Sequence, residues 1–271
     1  MTDIPNLLDI PFVNSVLHFL NGKKVFIFDT ETTGLPDRVP GGKWGTSSEY
    51  WNYTLNNKYD NSRIVSIAWA FCNEFDRNKC IKQNNNNNNI EELIPIKNFI
   101  RYPEDFNDIP TTHIHGISFE TAILTGIPFY DIFEKYGLYE DLITTEYIIA
   151  HNVNFDIHIL LNELYRIGEN GSIKAREVIK HIDNLMMLGH CICTGELGKD
   201  LCKLEYKYNT SKYNKTTTAN IAHTANIVKK QKVYKMPKLI ELYNHFYKCD
   251  FKNAHSADGD VRALLMCLGH M

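Results

Sequence analysis

Apolar residues fall along this chain in two rhythms. Short, nearly unbroken runs at 24–28 (KVFIF), 63–71 (RIVSIAWAF), within 93–102 and at 147–150 (YIIA) are rich in β-branched and aromatic residues, the pattern of strands buried on both faces. Elsewhere apolar positions recur at helical spacing. Ser118 opens a short helix, and Pro128 a longer one reaching about Thr145. Phe155, Ile159, Leu160 and Leu164 mark an amphipathic helix directly after the fourth strand. Further helices are expected over 174–188, 238–247 and 256–268. Three consecutive strands followed by helix–strand–helix alternation predict an α/β domain on a mixed sheet. Three segments break the pattern. Residues 36–61, rich in Gly, Pro, Asn, Ser and Tyr, read as a long surface loop. The run Asn84–Asn89 reads as a disordered hairpin tip, and 206–234 as an insertion. The expected organisation is an N-terminal extension over 1–20 and a single domain over 21–271. That domain carries the loop 36–61, an Asn-run loop at 83–90 and the insertion 206–234.

The first strand ends oddly. VFIFDTETTG places Asp29 and Glu31 at the edge of an apolar run, with Thr30 between them. On an extended chain such residues share a face, roughly 6.5–7 Å apart at Cα. Two carboxylates so close to a dry core repel each other and resist ionisation. Two further acids occupy comparable places. In HNVNFDIHILL, Asn152 and Asn154 supply turn and cap chemistry and Asp156 falls in the first helical turn, where a helix-dipole acid is the competing reading. In NAHSADGDVRALL, His255 and Asp260 converge if Ser256 caps a helix, so that His255 precedes it and Asp260 lies on its first turns; Asp258 is assigned to solvent. Asp29, Glu31, Asp156 and Asp260 together form a set that can bind two divalent cations, whose charge removes the repulsion. Oxygen ligands favour Mg²⁺ or Mn²⁺ over Zn²⁺. Asp29 is the best placed to bridge both ions. His255 is the candidate base, since an imidazole can take a proton at neutral pH.

The motifs FDTETTG, AHNVNFD and HSADGD, in that order, resemble those of the DEDDh 3′→5′ exonucleases. RIVSIAW, HIHGIS and MPKLIELY also fall at family-like positions. The resemblance extends from about Lys23 to Leu268. It implies a ribonuclease-H-like fold, a central mixed five-stranded sheet flanked by helices with the acids at one edge. It also implies hydrolysis of phosphodiester bonds by a two-metal-ion mechanism, with release of nucleoside 5′-monophosphates. The implied ligand is nucleic acid with a 3′ end, single-stranded or frayed, with DNA favoured and a polymerase as candidate partner. Thr32, Leu35, His115, His151, Asn152 and Phe155 match substrate-side positions of the family, although Phe155 also reads as plain core. His113 has no matched role and reads as structural.

Composition narrows the setting without changing the chemistry. The chain has 271 residues, 44% hydrophobic and 23% charged, with net charge −3. That is ordinary for a globular protein, so a nucleic-acid surface has to be local. Ten lysines and two acids fall within 199–238, giving that segment +8 and the rest of the chain −11. Tyr206, Tyr208, Tyr213 and Tyr234 lie among the lysines. A basic strip with aromatics suits single strands, and a solvated loop is the plainer alternative. Seven cysteines, with no basic segment in the first twenty residues, point to reduced thiols in an intracellular compartment and not to secretion. No apolar run is long enough to span a membrane. His190, Cys191, Cys193 and Cys202 raise a zinc site, but C-x-C with one distant Cys fits zinc spacing poorly. An RNA-directed exonuclease and a non-catalytic binding module remain the rival functions.

Overall fold

A computed structural model describes residues 18–43, 46–82, 94–205, 234–251 and 253–271. The strands are β1 (Val25–Thr32), β2 (Ile64–Cys72), β3 (Ile96–Ile100), β4 (Tyr147–Ala150) and β5 (Cys191–Cys193). The helices are α1 (Arg77–Lys82), α2 (Thr112–His115), α3 (Phe119–Thr125), α4 (Phe129–Lys135), α5 (Leu138–Thr144), α6 (Val153–Glu169), α7 (Ile173–Met187), α8 (Thr194–Cys202), α9 (Leu239–Tyr247) and α10 (Ala257–His270). The sheet order is β3-β2-β1-β4-β5. The pairs β1/β2 and β2/β3 are antiparallel, and β1/β4 and β4/β5 parallel. This is the mixed five-stranded sheet flanked by helices that the sequence led us to expect.

Period-2 alternation along β1 divides the core. Val25 and Ile27 point to one face, packed with Val261, Leu264, Leu265 and Leu268 of α10. Phe26 and Phe28 point to the other, packed with helices α4 to α7. Central burial on both faces explains why these strands read as continuous apolar runs.

Several elements depart from expectation. β1 continues through Asp29 and Glu31 to Thr32, beyond the apolar run 24–28. The helix expected from Pro128 to about Thr145 is two helices, α4 and α5, separated at Gly137, whose φ of 86° suits glycine. β5, α8 and α1 had no clear periodic signal, because three to nine residues give the pattern too few repeats. The 36–61 segment holds two short 3₁₀ turns, Ser47–Glu49 and Asn56–Lys58. It is tied to α6, where Asn162 Nδ2 donates to the Tyr53 carbonyl at 2.7 Å and Arg166 to the Asn56 carbonyl at 2.9 Å. The Asn run, 1–17 and 206–233 lie outside the described residues. The described ends of the 206–233 segment meet, since Lys235 N–H donates to the Leu204 carbonyl at 2.8 Å. Met236 and Pro237 then press on α8 so closely that a Cβ at Gly195 or Gly198 would come within 2.9 Å and 2.8 Å of them.

A buried ion network fixes α6 to the sheet. Glu163 accepts from Arg63 Nε at 2.8 Å, Arg63 Nη2 at 2.7 Å and Arg101 Nη1 at 2.6 Å. All three side chains are at most 3% exposed. The two guanidiniums outweigh burial and hold Glu163 down to about 2. Its stabilisation is therefore present above the ordinary carboxylate range and lost as pH falls towards 2. Glu163→Gln should cost about 3–5 kcal/mol, the usual penalty for leaving buried charge uncompensated. Urea denaturation at neutral pH checks this, and a loss below 1 kcal/mol would mean that the network is solvated.

Candidate metal centre

The same alternation that buries Val25 and Ile27 under α10 carries Asp29 and Glu31 to that face. Asp260 meets them from the first turn of α10. Oxygens of Asp29, Glu31 and Asp260 lie within 4.8 Å of one another, the one such group of potential metal ligands among the described residues. Between Glu31 and Thr32 the pairing with β2 shifts register, an irregularity common beside functional sites.

Thr30 points the other way and holds the fourth acid. Pairing of β1 with β4 ends at Ile27, so the Thr30 N–H is free of the β4 ladder. It donates to Asp156 Oδ1 at 3.1 Å, and the Thr30 hydroxyl donates to the same oxygen at 2.7 Å. Asp156 is 2% exposed on the first turn of α6. Sequence reasoning passed over Thr30 as a spacer; the signal was the strand alternation, which sends it towards the helix after β4.

The electrostatics show how costly this cluster is. Burial, followed by Asp156, Asp260 and Glu31, pushes Asp29 well above the usual carboxylate range. Burial, then Asp260 and Asp156, raises Glu31 to about 8. Burial raises Asp156 to about 7 despite the two Thr30 bonds, and raises Asp260 to about 7 against the pull of the His255 backbone N–H. A hard divalent cation fits the all-carboxylate donor set and relieves its repulsion. Unfolded carboxylates lose their protons near pH 4, so the folded metal-free chain retains protons that the unfolded chain lacks. Its stability should fall as pH rises from 7 to 8.5. Burial lowers His151 and other histidines, but these bind few protons in either state above pH 7. We expect a lower Tm at pH 8.5 than at 7.0 in chelator, and a smaller difference with Mn²⁺. A Tm insensitive to both would contradict the raised carboxyls.

His255 lies immediately before α10, exposed, with φ 67°. Ser256 caps α10, accepting from Gly259 N–H at 3.3 Å. Gly259 makes this turn possible, because a Cβ there would sit 2.3 Å from the Asn253 carbonyl oxygen.

The remaining sequence candidates surround the acids in different ways. Thr32 is buried and its hydroxyl donates to the Gly34 carbonyl at 2.7 Å. Leu35 is 63% exposed. Phe155 is half-buried and packs on the core. Both ring nitrogens of His115 are engaged: Nδ1 accepts from Ile117 N–H at 3.1 Å and Nε2 donates to Thr111 Oγ1 at 3.0 Å. His151 is similar, with Nε2 donating to the Pro237 carbonyl at 2.9 Å and Nδ1 accepting from Thr194 Oγ1 at 3.0 Å. Burial holds His151 down to about 4. Asn152 takes a left-handed conformation at the start of α6, with φ 67°. His113 is exposed and its Nδ1 donates to the Pro110 carbonyl at 3.0 Å. Cys191, Cys193 and Cys202 are free thiols, and no metal-ligand group forms around them among the described residues.

No protein-family profile matches the chain, and no curated protein matches it in sequence. Similar solved structures include Escherichia coli exonuclease I in complex with a dT13 oligonucleotide, with 13% identity and a TM-score of 0.47. The zinc-bound form of the exonuclease I–single-stranded DNA complex has 16% identity and the same TM-score. Each covers 90% of this chain, which in turn spans only 39% of the exonuclease I chain.

Proposed function

We propose that this chain is a metal-dependent 3′→5′ exonuclease that releases nucleoside 5′-monophosphates from single-stranded DNA. The observation that carries this reading is the convergence of Asp29, Glu31 and Asp260 within 4.8 Å, with Asp156 held beside them by Thr30. The motifs that resemble the DEDDh exonucleases supply these four acids in order.

Bound here, two Mg²⁺ or Mn²⁺ ions would supply an activated water and neutralise charge on the phosphate and the departing 3′ oxygen. Asp29, Glu31 and Asp260 would hold the ions, with Asp156 completing the set of acids. His255 stands where solvent reaches it and accepts the proton of the attacking water. Leu35 offers an exposed apolar side chain to the terminal sugar and base, and Thr32, His115, His151, Asn152 and Phe155 are the other substrate-side candidates, the ring nitrogens of both histidines being committed within the protein.

The test is digestion of 5′-labelled DNA and RNA strands of one sequence, side by side, with Mg²⁺ or Mn²⁺. A ladder shortening from the 3′ end and 5′-monophosphate products support the reading. Faster loss of RNA would make the chain a ribonuclease. Tight binding without shortening would make it a binding module.

A further inference from the structure

Thr30 reaches Asp156 by two bonds from one residue. Its N–H donates to Oδ1 at 3.1 Å, and its hydroxyl donates to the same oxygen at 2.7 Å. Thr30 is 6% and Asp156 2% exposed, so water hardly competes. The sheet register explains why the N–H is available. Val25, Phe26 and Ile27 pair with Tyr147, Ile148 and Ile149 of β4. Continued, that register would set Thr30 beside Asn152, but there the chain turns left-handed, with φ 67°, and enters α6 at Val153. The Asp156 carboxylate takes the place of the missing strand acceptor. A carboxylate has two oxygens and about four lone-pair sites. Thr30 fills both sites of Oδ1 and bonds to neither of Oδ2.

We propose that Thr30 is a positioning residue of the metal centre that sets which cations the centre accepts. With Oδ1 filled, Asp156 meets a cation through Oδ2 alone, directly or through water, and cannot grip it with both oxygens. Mg²⁺ demands near-ideal octahedral geometry, which one oxygen per carboxylate suits. Ca²⁺ takes more oxygens at longer distances, often both of one carboxylate. Threonine meets both needs of this position, since its β-branch suits the strand and its hydroxyl supplies the second donor. Strand alternation sends it away from the face of Asp29 and Glu31, so it fixes Asp156 without entering the cluster itself. This inference rests on the exonuclease reading for the use made of the cation, and on the two hydrogen bonds for the choice of cation.

Thr30→Val keeps the shape and removes the hydroxyl, leaving only the longer N–H bond. Thr30→Ser keeps both donors. Calorimetric titration of the metal-free chain with Mn²⁺ and with Ca²⁺, without nucleic acid, reads the effect. Thr30→Val should weaken Mn²⁺ binding about tenfold, the low end of the usual cost of losing a partner behind a metal ligand. Ca²⁺ binding should change less than about twofold, because the freed oxygen offsets the lost orientation. Thr30→Ser should stay within about twofold of wild type for both ions. Thr30→Ala, with less bulk, should follow Thr30→Val and takes its place if Thr30→Val does not fold. Unchanged Mn²⁺ affinity, an equal loss for both cations, or Thr30→Ser as weak as Thr30→Val would overturn the inference. So would a wild-type chain that binds neither ion. A wild-type chain that binds Mn²⁺ but shortens no strand would end the exonuclease reading, and the ratio of Mn²⁺ to Ca²⁺ affinity across the variants would still decide this one.

Discussion

Asp29→Asn should reduce hydrolysis by several orders of magnitude while raising the thermal stability of the metal-free protein. The amide matches the carboxylate in size and leaves β1 intact, so the fold has no reason to change. What it removes is the carboxyl pushed up by burial and by Asp156, Asp260 and Glu31, in a cluster where burial, Asp260 and Asp156 also raise Glu31 to about 8. The variant should therefore lose the share of the Tm difference between pH 7.0 and 8.5 that Asp29 contributes, and keep the share of Glu31, Asp156 and Asp260. The same loss of charge should weaken Mn²⁺ binding, read by titration calorimetry. Activity at the wild-type rate, or activity surviving excess chelator, would end the metal-dependent reading. A variant less stable than wild type in chelator would mean that the carboxylates are solvated and not strained.

The second large effect is expected at His255. Its left-handed φ makes Asn a better probe than Ala, since Asn tolerates that conformation. His255→Asn should lower turnover by about 10²–10⁴, the usual contribution of a general base. Mn²⁺ affinity and Tm should hold, because the side chain is exposed and is not among the clustered ligands. The acid limb of the pH–rate profile should flatten. Unchanged turnover would remove His255 from proton transfer, whereas lost Mn²⁺ affinity would place it among the ligands.

The parts of this molecule that follow a period were legible in its sequence. β2 and β4 are buried on both faces, and their apolar runs gave bounds within a residue or coincident with the observed strands. The caps Ser118 and Ser256 were legible because a hydroxyl ahead of an apolar period has one common use. The grouping of Asp29, Glu31 and Asp260 was legible because strand and helix geometry each assign a face. Long-range polar contacts were not. Nothing adjacent to Thr30 indicates that it binds Asp156, 126 residues away. Nothing around Tyr50 indicates that its ring lies against His158 of α6, because a loop without a period has no face to read. His151 shows the limit from the other side: its motif suggested contact with substrate, but which bonds its nitrogens make depends on Thr194 and Pro237.

The closure at Leu204 and Lys235 has an evolutionary consequence. Where a segment leaves and re-enters at one point, its length hardly enters the energy of the rest: doubling a loop costs only about 0.6 kcal/mol. The lysine-rich stretch can thus gain, lose or exchange residues while β1, α6 and α10 keep their positions. Charge and aromatic content there can drift while the four acids keep their places, so that the two parts of the chain can evolve at different rates.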